Sequence, residues 1–227
     1  MKYLVDKDIL NRYRKYSILG RGQEGVCFEL SNGIILKLFY GLEEDKKIFF
    51  DNLKCDQIAY PIDVLYFKGN NRVAGYTMNY LQGYSILDGL NDDLLISDLK
   101  SAYINARLVL LKQKNIFMKD LCSENILYDK TTNSFNFIDT TRWYPKYGSE
   151  IENIGNFNWQ IMSSLLKSIK ADYTHLKENK RLNEFLNMYQ AQKEEISLFI
   201  EFLLELEKDV SEFNGEKVKS LKDLKYK

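Results

Sequence analysis

The chain of 227 residues has one histidine, His175, two prolines, Pro61 and Pro145, and three cysteines, Cys27, Cys55 and Cys122. An odd number of cysteines without C-x-x-C spacing excludes a disulfide framework and the usual zinc and redox motifs, and suits thiols in a reducing compartment. So little proline, with 12 glycines, also excludes collagen-like and low-complexity disordered chains. Neither sign of charge is in excess: 32 basic and 32 acidic side chains cancel, so no whole-chain field draws the protein to nucleic acid or anionic membrane. Long hydrophobic runs are missing as well. The longest uncharged stretch, Val73 to Leu87, contains Asn79 and Gln82, and Met1 to Asp8 carries charge where a signal peptide needs apolar residues. No membrane span and a cytoplasmic location are therefore expected, with delivery into a host cell left open. What is present, 45% hydrophobic and 28% charged residues, describes one globular domain with a sizeable core.

Short β-compatible runs come first. Tyr16–Leu19, Val26–Leu30 and Gly33–Phe39 read as three antiparallel strands, the last two joined by Ser31-Asn32-Gly33, a hairpin turn whose Asn and Gly tolerate positive φ. Leu42–Lys54 reads as a helix with Leu42, Phe49 and Leu53 on its buried side, and Ile62–Phe67 and Arg72–Met78 as two more strands. From Leu94 to about Lys114, apolar residues recur at three and four, the spacing of a long amphipathic helix. Residues 115–140 return to strand and turn character; Ile154–Lys170 and Asn183–Asp209 read as helices, and Val210–Lys227 as a polar, frayed tail. Tyr60, Tyr66, Tyr76 and Tyr80 lie in strand-like segments and read as sheet and core packing. They are not a nucleic-acid stacking platform, which would need an interleaved basic patch.

Three places could carry chemistry. Gly20-Arg21-Gly22-Gln23-Glu24-Gly25 lies between two strands, where glycines allow a tight turn and bring backbone N–H groups close to phosphate oxygens; a plain β-turn would use the same residues. Lys37 stands in the apolar strand Ile34–Phe39, on the opposite face from Leu36 and Leu38, either snorkelling to water or reaching back to the same phosphates. Asp120 and Asn125, five residues apart in a loop, are followed after a hydrophobic strand by Asp139. Each alone could be a turn residue or a cap. Together their oxygens suit Mg²⁺, a hard cation held by one or two carboxylates and substrate phosphates. His175, in a polar stretch, reads as a surface residue.

In this order, over roughly residues 16 to 167, these features resemble the eukaryotic-like protein kinase superfamily, in a minimal, divergent form of bacterial type. The resemblance implies an α+β, two-lobed fold. Its N-lobe (1–79) would be a five-stranded antiparallel sheet with one helix, its hinge residues 80–84, and its mainly helical C-lobe residues 85–227. ATP and Mg²⁺ would be the cofactors. Gly20, Gly22 and Gly25 would cover the phosphates, Lys37 would pair the α and β phosphates, and Glu44, or in second place Glu43, would orient Lys37. Asp120 would accept the acceptor's hydroxyl proton, and Asn125 and Asp139 would hold the metal. Met78 falls at the gatekeeper position. Backbone groups of Asn79 and Leu81 would hydrogen-bond adenine, with Leu127 beneath the ring and Leu19 and Ile35 above it.

Several residues depart from the family pattern. Met118-Lys119 stand for His-Arg, Cys122 for the usual Lys, and Thr140-Thr141 for Phe-Gly after Asp139, and no Ala-Pro-Glu follows. These imply a truncated activation segment without a phosphorylation switch, and leave room for an activating protein partner. The expected activity is transfer of the γ-phosphoryl group to a hydroxyl of protein Ser or Thr. Two alternatives are a small-molecule kinase for an aminoglycoside, sugar or alcohol, with Glu150, Glu152 and Asp172 as an acidic hint, and a pseudokinase interaction module.

Overall fold

The computed structural model describes residues 2–6, 8–13, 15–40, 55–69, 72–91, 93–168 and 220–224. The chain divides into two compact units, Met1–Leu81 with Ile138–Trp143, and Gln82–Phe137 with Tyr144–Lys227. The fold class is α+β.

The first unit contains β1 (Lys2–Val5), α1 (Ile9–Tyr13), β2 (Ile18–Arg21), β3 (Gly25–Glu29), β4 (Ile34–Phe39), β5 (Pro61–Phe67) and β6 (Val73–Asn79). Strands β2 to β6 form the expected antiparallel set. The sheet has a sixth member that local patterning does not reveal: β1 pairs in parallel with β5, in the order β1-β5-β6-β4-β3-β2. In the β3–β4 hairpin Asn32 (φ 61°) and Gly33 (φ 71°) take the left-handed conformation that matches the twist of the flanking strands. Alternation along β4 then builds two cores. Leu36 and Leu38 pack with Val26, Phe28, Leu65, Ala74 and Ile9 on one side, and Ile35 and Phe39 pack with Ala59, Tyr76 and Met78 on the other. Backbones approach closely here: a Cβ on Gly25 would lie 2.1 Å from the Leu38 carbonyl oxygen. The helix expected over 42–54 lies outside the described residues, and Tyr80, expected in the core, is 48% exposed.

The second unit holds β7 (Tyr84–Ser85), α2 (Ile96–Lys112), β8 (Ile116–Phe117), β9 (Ile126–Asp129), β10 (Ser134–Phe137), β11 (Tyr144–Pro145) and α3 (Glu150–Ser168). Helix α2 buries Ile96, Leu99, Ala102, Tyr103, Ala106, Val109 and Leu110, the stripe its sequence spacing predicts. Phe157 of α3 stacks on Tyr103 at 5.9 Å and meets Phe135 and Phe137 of β10 edge-on at 5.5 and 5.7 Å. Rings in this arrangement contribute about 0.5–1.5 kcal/mol per pair beyond their buried area. Polar side chains pin α3 to the short helical turn Ile86–Asp88: the Ser164 hydroxyl donates to the Ile86 carbonyl at 2.7 Å, and Lys167 to that of Leu87 at 2.5 Å. One part of the expected frayed tail is tied down. Ser220 and Leu221 are buried, and the Leu221 N–H donates to the Leu94 carbonyl at 3.1 Å. The expected helix 183–209 lies outside the described residues.

Candidate active site

Lys37 is 7% exposed, so the snorkelling alternative does not apply. Strand pairing sets Cys27 and Tyr76 opposite it on the neighbouring strands, and the face it shares with Ile35 and Phe39 is apolar. A buried ammonium needs a charged partner. Lys37 Nζ lies 2.5 Å from Asp139 Oδ1, across 102 positions of sequence, and 4.0 Å from Glu24 Oε2. Burial alone would raise the Asp139 carboxyl, but the Lys37 charge and hydrogen bonds from Lys37 and Thr141 outweigh it and hold the group below the usual carboxylate value. Asp139 sits at φ 57°, a left-handed conformation that Asp and Asn adopt more readily than other residues with a side chain, as Asn32 does in the β3–β4 hairpin.

Three further contacts extend this pair into a cluster. The Thr141 hydroxyl donates to Asp139 Oδ1 at 2.6 Å and lies 3.3 Å from Glu24 Oε2, while Arg142 Nε donates to Glu24 Oε1 at 2.9 Å. The glycine-rich loop supplies Glu24. Strand β2 runs to Arg21, which pairs with Val26, and the Gly22 N–H closes the turn on the Gly25 carbonyl at 2.9 Å. Gly25 is required by the close approach to β4, whereas no atom lies within 4 Å of where a Cβ would stand on Gly20 or Gly22. Thr140 anchors the same segment from behind, donating to the Ala59 carbonyl at 3.3 Å, and Trp143 meets Tyr60 edge-on at 6.0 Å.

Neighbouring groups respond to this charge and burial. Burial pushes the Tyr76 hydroxyl well above its ordinary value, with Asp139, Cys27 and Glu24 adding to the rise, and that hydroxyl has no hydrogen-bond partner among the described residues. Burial likewise raises the Cys27 thiol against the opposing pull of Lys37, so it is not an activated nucleophile. All three cysteines are free thiols.

The second group of expected residues lies in the loop before β9. Asp120 (φ 66°) is exposed and also left-handed. The loop closes on itself, with the Cys122 N–H on the Asp120 carbonyl at 2.8 Å and Asn125 Nδ2 on that same carbonyl at 3.0 Å. Helix α3 holds it from below. Asn153 accepts from the Met118 N–H at 2.9 Å and donates to the Ile116 carbonyl at 2.7 Å, and Gln160 accepts from the Ser123 N–H at 3.0 Å. Met118, where the family has His, is fully buried and serves packing.

No protein-family model matches this chain, and no curated protein does.

Lys37 and Asp139 are thus brought together in the first unit, and Asp120 and Asn125 in the second. Glu43 and Glu44, named as partners of Lys37, and His175 and Asp172 lie outside the described residues. The Ile35 and Met78 side chains are buried, with Leu81 packed beside them; Leu19 and Asn79 are exposed, and Leu127 is half-buried on β9. Of the acidic hint, Glu152 is paired with Lys146, and Glu150 Oε2 is buried with no partner among the described residues. Sequence reasoning missed Glu24, Thr141, Arg142 and Asn153. For Glu24 a signal existed, a carboxylate between the last two glycines of the loop. Thr141 is read from the sequence only as a departure from the family pattern, and Arg142 carries no signal there.

Each unit offers an oxygen of the kind a hard cation takes. Asp139 is held ionised, and the Asn125 amide nitrogen is committed to the Asp120 carbonyl, which leaves the amide oxygen as its donor atom toward an ion. Among the described residues no three His, Cys, Asp or Glu side chains form a metal cage.

Proposed function

We propose that the protein is an ATP- and Mg²⁺-dependent phosphotransferase that moves the γ-phosphoryl group to a hydroxyl, that of a protein Ser or Thr. The observation that carries this is the ion pair between the buried Lys37 and the half-buried Asp139. It joins a strand behind a glycine-rich turn to a left-handed Asp far along the chain, with the Asp120-to-Asn125 loop between them in sequence. A structural role alone explains a surface ion pair. A Lys on the apolar face of a sheet, paired with a carboxylate far along the chain, supports a phosphate-pairing role instead.

In this scheme the acceptor oxygen attacks the γ-phosphorus in line, the bond to the β–γ bridging oxygen breaks, and ADP leaves. Asp120 takes the acceptor's proton, and Lys37 neutralises the α and β phosphates. Asp139 and Asn125 would hold Mg²⁺, which would supply neutralising charge for the phosphates. Positioning and charge stabilisation carry most of the rate.

The test is label transfer from γ-labelled ATP, with Mg²⁺, to the protein itself and to a protein mixture. Asp139→Ala should abolish transfer, and Asp120→Ala should lower it by about 10²–10⁴-fold while nucleotide binding persists. Undiminished transfer in either variant would sink the assignments. Turnover with a metabolite and none with proteins would redirect the proposal to a small-molecule acceptor.

A further inference from the structure

Lys37, Thr141 and Arg142 reach Glu24 from two separate stretches of chain, at 4.0, 3.3 and 2.9 Å. Two cations and a hydroxyl around one carboxylate make an anion site. It is also a built one: the Lys37 side chain is 8% exposed, and the Glu24 side chain 15%. Thr141 is itself buried, and its single hydroxyl hydrogen has two acceptors in reach, Asp139 Oδ1 at 2.6 Å and Glu24 Oε2 at 3.3 Å, so it can turn to an anion in the place of Glu24. The anion that fills the site comes from the tip of the glycine-rich turn, the element assigned above to nucleotide phosphates. A phosphate brought to Thr141 and to Arg142, whose side chain is 49% exposed, therefore meets the carboxylate they already hold, and like charges competing for one site repel.

Charge and geometry resolve that conflict. Lys37 and Arg142 balance Glu24 and Asp139, so the cluster is neutral as it stands. A phosphoryl group presents three oxygens and more charge than a carboxylate. The Arg guanidinium, with donors in a fixed fork, satisfies it better. The Glu24 backbone is held, its carbonyl accepting from the Tyr40 N–H at 3.0 Å, so displacement asks only for the Glu24 side chain to swing away from Arg142 and Thr141.

We propose that Thr141 and Arg142 form a subsite for the terminal phosphate of a nucleoside triphosphate whose α and β phosphates lie at Lys37, and that Glu24 occupies this subsite as an internal anion which the triphosphate displaces. The inference rests on the nucleotide assignment above and adds Arg142 and Thr141 as phosphate ligands. Displacement makes Glu24 a brake on triphosphate binding. A diphosphate, which lacks the competing group, does not feel it.

The experiment is calorimetric titration of the full chain with Mg²⁺ and either a non-hydrolysable ATP analogue or ADP, for the native protein, Glu24→Gln, Arg142→Gln and the double variant. Glu24→Gln should bind the triphosphate at least about tenfold more tightly, with ADP changed by less than about threefold. Adding Arg142→Gln should remove the preference for triphosphate over ADP. Glu24→Ala, read in the same way, serves if the Gln variant does not fold. An unchanged triphosphate-to-ADP ratio in the Glu24 variants, or weaker binding of both nucleotides, would overturn the subsite and make Glu24 a structural partner of Lys37. No binding of either nucleotide by any variant, with native circular dichroism, would overturn the nucleotide assignment and the subsite together.

Discussion

At Asp139 two opposing effects meet on one carboxyl: burial favours the neutral acid, while Lys37 and Thr141 favour the ion, and the second prevails. A carboxyl lower in the folded than in the unfolded chain contributes stability above its unfolded value, near pH 4, and that contribution is lost as pH falls through the folded value. Asp139→Asn should therefore cost about 1–3 kcal/mol at pH 7, because it leaves the buried Lys37 with a weaker partner. Urea melts of the two proteins should converge as the pH drops below about 4. A difference that stays constant from pH 7 to pH 3 would show that the pair does not supply it. That Lys37 and Asp139 belong together was legible in the sequence only through the order of motifs, since no local pattern links positions so far apart. The apolar strand around Lys37 was legible directly, and so was its face. Glu24 was hidden by its neighbours: between glycines, a residue is read for the backbone it permits and not for its charge.

Among the elements, the β2–β3 turn and the β3–β4 hairpin were visible because their cues are local, glycine spacing in the first and Asn-Gly in the second. Strand β1 was not. Its four residues pair in parallel with β5, and nothing within so short a segment specifies a partner some sixty positions on. The buried Leu221 was missed for the same reason: it lies in a short lysine-rich stretch, and its backbone partner, Leu94, lies just before a distant helix. The glycines of the loop also divide at this scale. Gly25→Ala would drive a methyl into the Leu38 carbonyl and should cost about 1–3 kcal/mol, whereas Gly22→Ala should stay within about 0.5 kcal/mol. Thermal melts of both variants check this. Equal losses would mean that the close approach of β3 to β4 does not constrain the sequence.

For the molecule as a whole, sequence suggested a division near Tyr80, and the compact units change over at Leu81 and Gln82. The return of Ile138–Trp143 to the first unit was not legible, because it depends on long-range contacts: the Lys37 pair, the Thr140 bond to Ala59 and the ring contact of Trp143 with Tyr60. Trp143 is 3% exposed. Trp143→Ala should destabilise by about 3–5 kcal/mol. Hydrogen exchange should show the loss in the amides of β5 and β6 and spare those of α2, although α2 lies between them and residue 143 in sequence. Equal loss of protection in α2 would mean that the two units unfold as one.

The split membership of the first unit also governs the order in which the protein can be made. A ribosome delivers all six strands of the main sheet by Asn79, and then the whole of 82–137, before Asp139, Thr141, Arg142 and Trp143 emerge. Until then the nascent sheet holds Lys37 without its closest carboxylate and Glu24 without its arginine. The first unit is thus completed, and its charged cluster closed, only after most of the second unit's strands have been synthesised.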